Sequence, residues 1–140
     1  MQEKVVFDTC IYIDLFNRGK YKNEFSGFKK IMYLSHPVLH ELWMGAKTEK
    51  EVNHLLYFSH TFIKLKRLIR PHPETQLKIG ITCQKLYSSG LLDPRHPKIY
   101  NDVCIALLTR QIGATLVTKN IKDFTVIREI IKFKFRLPEK

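Results

Sequence analysis

The feature that most constrains this chain is its order of short apolar runs and longer amphipathic stretches. Lys4-Val5-Val6-Phe7 is a brief β-prone run that stops at Asp8, and Ile11 to Phe16 then reads as helical. After a polar, basic loop from Asn17 to Asn23, Ile31-Met32-Tyr33-Leu34 is a second strand. Ser35 can cap orphan N–H groups and Pro37 suits a first turn, so Val38 to Ala46 should be helical. From Glu49, Val52, Leu55, Leu56, Phe62 and Ile63 keep the spacing of one helical face. Leu68-Ile69-Arg70 is a third short strand, and Glu74 to Tyr87 is a helix with Leu77, Ile81 and Gln84 on a common side. A loop from Gly90 to Pro97 leads to a helix from Ile99 to Ile112, closed by Gly113, with Asp102 in its first turn. Ala114 to Thr118 is a strand, Ile121 to Ile130 a helix, and Lys132 to Arg136 alternates like an edge strand. Strands alternating with helices need crossover connections, which predicts an α/β fold with a mostly parallel sheet covered on both faces.

Composition narrows the function classes. The chain's 140 residues fit one domain, 1–140, at the usual scale of ~100 to 200 residues per domain. No apolar run approaches the ~18 residues of a membrane span, so a cytoplasmic protein without membrane contact is expected. Three widely spaced cysteines without a C-x-x-C pair argue against a disulfide framework or zinc knuckle; all three are read as reduced and mostly buried. With 24 Lys plus Arg against 13 Asp plus Glu, the net charge of +11 suits a polyanionic partner.

Against that basic background the placement of the few acids is informative. Asp8, Glu41, Asp102 and Asp123 each follow a strand or lie near a helix start, and ligands of parallel sheets gather beyond the carboxyl ends of the strands. Taken singly, each acid could end a strand or complement a helix dipole. Brought together, their carboxylates repel and call for a cation, and hard oxygen donors suit Mg²⁺ or Mn²⁺.

Three segments carry a family resemblance: V-V-F-D-T-C-I-Y-I-D, S-H-P-V-L-H-E-L-W-M-G-A and N-D-V-C-I-A-L-L-T-R-Q-I-G-A-T-L-V-T-K-N-I-K-D-F. In order and spacing they resemble the PIN-domain family and, within it, the VapC-type toxin ribonucleases of toxin–antitoxin pairs. The resemblance places Asp8, Glu41 and Asp102 on metal-binding acids and Asp123 on a fourth, acting directly or through water, with Thr118 and Asn120 to orient that fourth acid; Thr9 matches the family as well. Cys10 departs from the Asn or Ser often found there and offers a weak thiol donor instead. The family implies a three-layer α/β/α sandwich, Mg²⁺ or Mn²⁺ as cofactor, and endonucleolytic hydrolysis of RNA that leaves a 5′-phosphate and a 3′-hydroxyl. A cognate antitoxin and a homodimer are implied as well. Lys119 and Lys122 stand near enough in sequence to meet RNA phosphates.

Rival readings use the same residues. His36 and His40 share a helical face but lack H-E-x-x-H, and a D-x-D-x-T phosphatase would need an Asp where Cys10 stands. Trp43 and the aromatics Tyr57, Phe58 and Phe62 have the spacing of core or interface rather than of base-stacking platforms. The remaining alternatives are a non-catalytic basic domain that binds RNA or a partner, and a structure-specific DNA nuclease using the same metal chemistry.

Overall fold

A computed structural model describes residues 2–27 and 29–139 of the chain. The first strand, β1 (Glu3–Phe7), is followed by α1 (Thr9–Arg18) and a short α2 (Lys22–Phe25). Next come β2 (Lys30–Ser35), α3 (His36–Met44), α4 (Glu49–Lys64), β3 (Leu68–Ile69) and α5 (Pro73–Ser89). Last are α6 (Pro97–Gln111), β4 (Thr115–Val117), α7 (Ile121–Ile130) and β5 (Lys134–Arg136). The strands form one sheet in the order β3-β2-β1-β4-β5, and every neighbouring pair is parallel. With helices covering it, the fold is a three-layer α/β/α sandwich with an all-parallel sheet.

Chain direction across the sheet reverses at β1: β2 and β3 lie on one side, β4 and β5 on the other. The crevice beyond the ends of β1 and β4 is therefore the topological switch point, where doubly wound sheets bind ligands. Val5, Val6, Phe7, Leu116 and Val117 are fully buried. Covered on both faces, these strands read as continuous apolar runs rather than as alternating ones. α6 is buried nearly all round, from Asp102 through Thr109, because it runs among α3, α5 and α7.

Several expected boundaries and faces shift. α1 reaches Arg18 and α2 occupies part of the segment read as loop; Gly19, at φ 64°, ends α1 with its N–H on Leu15 O and that of Lys20 on Asp14 O. The expected face of α5 is reversed: Thr75, Ile79, Thr82 and Leu86 are buried, while Leu77 and Ile81 are exposed. Two threonines at buried positions disguised that face, and a leucine and an isoleucine on the outside imitated another. On α4 the buried stripe is Leu55, Ser59 and Phe62, leaving Leu56 and Ile63 outside. Ser59 is buried because its hydroxyl accepts the Trp43 indole N–H at 3.0 Å, which also sets Trp43 in α3–α4 packing. Ser35 does sit at the cap position of α3, yet its hydroxyl makes no capping bond. Of the cysteines only Cys104 is buried; Cys10 and Cys83 are half-buried.

Candidate active site

Asp8 follows β1 directly, and its backbone N–H continues the ladder by bonding Val117 O at 3.0 Å. Its side chain caps α1 by accepting the Thr9 N–H at 2.8 Å, which fixes the carboxylate over the crevice. Because Phe7 pairs with Val117, the next residue on each strand also meets its counterpart: Thr118 Oγ1 donates to Asp8 Oδ2 at 2.7 Å. Thr118 thus orients Asp8 rather than the fourth acid. Cys10 Sγ lies 3.8 Å from the same oxygen, the weak thiol donor expected at that position. Burial and then the Asp8 charge push that thiol up.

Glu41 comes from the middle of α3, where Thr9 Oγ1 donates to its Oε1 at 3.0 Å. Burial raises this carboxyl; the Thr9 bond works against the rise and the Asp8 charge adds to it. Asp102 lies in the second turn of α6 rather than the first, since the helix starts at Pro97, and it is only 2% exposed. A role as a helix-dipole acid is thereby removed. Asn120 Nδ2 donates both to Asp102 Oδ2 at 3.1 Å and to Asp123 Oδ2 at 3.3 Å, joining the acid of α6 to the acid in the first turn of α7. Burial is the main cause that drives the Asp102 carboxyl up to about 7. Lys98 opposes that rise, and the charges of Asp8, Asp123 and Glu41 reinforce it.

Lys98, one helical turn before Asp102, places Nζ 3.7 Å from Asp102 Oδ1. Partial burial disfavours its charged form, but Asp102, Asp8, Glu41 and Asp123, in that order, hold the ammonium above the ordinary lysine range. Lys98 thus contacts Asp102 and feels the charge of the other three acids. Sequence reasoning missed Lys98, although K-x-x-x-D on a helix puts both residues on one face. Lys119 is drawn away from the crevice into an ion pair with Asp14 on α1, and Lys122 is exposed on α7. Asp14 is the other residue the sequence did not flag.

The donors of the cradle are carboxylate oxygens, a set that suits a hard divalent ion. Two of the four acids, Asp8 and Asp102, are buried where an uncompensated carboxylate is costly. Among the described residues no three Asp, Glu, His or Cys side chains already converge as a finished metal cluster. The cradle fits such an ion by donor type and charge.

No family model and no curated protein matches the chain. Solved structures do. VapBC-1 from nontypeable Haemophilus influenzae is similar at a TM-score of 0.71 and 21% identity, covering 98% of this chain and 99% of that one. VapBC2 from Rickettsia felis, bound to a DNA fragment of its promoter, is similar at 0.70 and 25% identity, covering 97% and 99%. FitAB bound to a DNA fragment is similar at 0.70 and 13% identity, covering 96% and 94%. By fold the chain is a PIN-like domain, similar over nearly its whole length to chains of the VapBC and FitAB structures.

Proposed function

We propose that this chain is a divalent-metal-dependent endoribonuclease and the toxin of a toxin–antitoxin pair. The observation that carries the reading is the joining of Asp8 to Glu41 through Thr9, and of Asp102 to Asp123 through Asn120, at the switch point of the sheet. A domain that merely binds RNA by charge gains nothing from burying carboxylates there, since they repel phosphate and cost stability.

Asp8, Glu41, Asp102 and Asp123 would hold Mg²⁺ or Mn²⁺. When bound, the ion supplies a Lewis acid that lowers the pKa of a water and neutralises charge on the scissile phosphate. Thr118 and the Thr9 N–H keep Asp8 aimed inward, the Thr9 hydroxyl does the same for Glu41, and Asn120 holds Asp102 and Asp123 as a pair. Lys122, with a basic chain behind it, would meet flanking phosphates of RNA; Lys119 would have to leave Asp14 first.

An antitoxin has a seat in the same reading. A cleft of about 520 Å³ runs between α1, α3 and α4, lined by Ile13, Phe16, Leu42, His54 and Leu55 and reaching Glu41. Phe16 and His54 also line a second cleft of about 290 Å³ beside Phe25, Phe58 and Phe62. A partner's apolar helix laid along these clefts would cover the way to the acids.

Cleavage of single-stranded RNA with Mg²⁺ or Mn²⁺, mapped at its ends, tests the function. Asp8→Asn and Asp102→Asn are expected to lower the rate by about 10²-fold or more, since each removes charge from the metal shell. Full cleavage by both variants in the presence of a chelator would reject the mechanism. Cleavage of duplex DNA in place of RNA would move the reading to a DNA nuclease.

A further inference from the structure

Lys98 stands where helix physics disfavours a cation. His96 caps α6 by accepting the Lys98 N–H on Nδ1 at 3.3 Å, and Pro97 takes the first turn, so Lys98 lies at the positive end of the helix dipole. That turn contains no acid to offset it. The Lys98 side chain is 57% exposed and could extend into water, yet its Nζ turns back to Asp102 Oδ1 at 3.7 Å. What holds it there is the Asp102 carboxylate, itself joined through Asn120 to Asp123. Lys98 therefore occupies a place beside Asp102 to which a divalent ion would be drawn.

We propose that Lys98 is the chain's own counter-ion for the acid cradle and competes with the divalent cation for Asp102. The inference rests on the metal-binding reading of that cradle. Two cations cannot share one carboxylate at contact distance without mutual repulsion, so an ion that engages Asp102 must displace the ammonium toward solvent. In this account Lys98 limits the charge imbalance of the metal-free protein and sets a threshold concentration for metal loading.

Calorimetric titration of the full chain with Mn²⁺ tests this, comparing wild type with Lys98→Ala, Lys98→Arg and Lys85→Ala. The last removes the same formal charge from an exposed site on α5. Because the pair is partly exposed and screened, Lys98→Ala should tighten Mn²⁺ binding by about three- to five-fold. Lys98→Arg should stay near wild type, and Lys85→Ala should not differ from it. In chelator, thermal unfolding of Lys98→Ala should begin earlier than that of wild type, with the order reversed at saturating Mn²⁺. Lys98→Gln repeats the comparison should the alanine variant fail to fold. Binding by Lys98→Ala no tighter than by Lys85→Ala, or equally tight binding by Lys98→Arg and Lys98→Ala, would overturn the competition while leaving the metal cradle standing. Absence of Mn²⁺ binding in every variant would overturn the cradle and the competition together.

Discussion

Glu24 and Asp102 are both buried carboxylates, 1% and 2% exposed, and they behave in opposite ways. Glu24 receives Lys30 Nζ at 2.6 Å, Arg136 Nη1 at 2.7 Å and Nη2 at 3.1 Å, and the backbone N–H of Glu139 at 2.6 Å. Burial alone would raise it, yet the bonds from Arg136, Lys30 and Glu139 hold it down at about 2. Asp102 has one amide donor at 3.1 Å and one ammonium at 3.7 Å, and burial among other acids carries it up to about 7. The difference lies in the supply of positive charge. Glu24 ties α2 to β2 and β5 as a closed knot, whereas the cradle is built short of a cation and stores that deficit for a ligand.

Breaking the knot should have the largest effect. Glu24→Gln leaves Arg136 and Lys30 without their shared counter-charge, and denaturant unfolding should show a loss of about 3–5 kcal/mol. A loss below about 1 kcal/mol would mean that the network is no more than a surface contact.

The cradle should respond in the opposite direction. In chelator at about pH 8, Asp102→Asn relieves a buried charge and should raise stability by about 1 kcal/mol, roughly 3 °C in Tm. The two carboxylates also predict opposite pH slopes. Asp102 is raised on folding, so its contribution is fully present below the unfolded value near 4 and is lost as pH rises through about 7. Glu24 is lowered on folding, so its contribution is present above the unfolded value and is lost as pH falls toward about 2. Unfolding curves of wild type and Asp102→Asn across this range should diverge between about pH 4 and 7; parallel curves would show that Asp102 is not strained.

These energetics also show how far the sequence could be read. The β1–Asp8, β4–Thr118 and α7 assignments were legible because each strand ends in a polar residue at a fixed place in the parallel ladder. The elements that carry the four acids were legible, but the sequence reading put Glu41 and Asp102 earlier in α3 and α6 than the structure does, because both helix starts lie further back in the chain. The face of α5 was not, because its buried Thr75 and Thr82 carry no apolar signature. Nor was the Glu24 knot, whose partners Lys30, Arg136 and Glu139 are brought together only by the order of the sheet and the path of the chain end. Long-range pairing of charges is a product of topology, and no local pattern announces it.

A finer comparison separates the members of the cradle. Asp123→Asn removes a charge and should raise the Mg²⁺ concentration for half-maximal cleavage by about ten-fold, while Asn120→Ala, which loses only the two bonds that align Asp102 and Asp123, should raise it about two- to three-fold. The reverse order would place the closer ligand at Asn120.

The central claim is that the cradle lacks a cation which a divalent metal supplies. Calorimetric Mn²⁺ titration of wild type and Asp102→Asn at about pH 8 and about pH 6 tests it most directly. Wild type should bind, with proton release and weaker affinity at the lower pH, because the ion must displace the Asp102 proton held up to about 7. Asp102→Asn should bind at least about ten-fold more weakly and with little pH dependence. Equal affinity in the two proteins at both pH values would contradict the account.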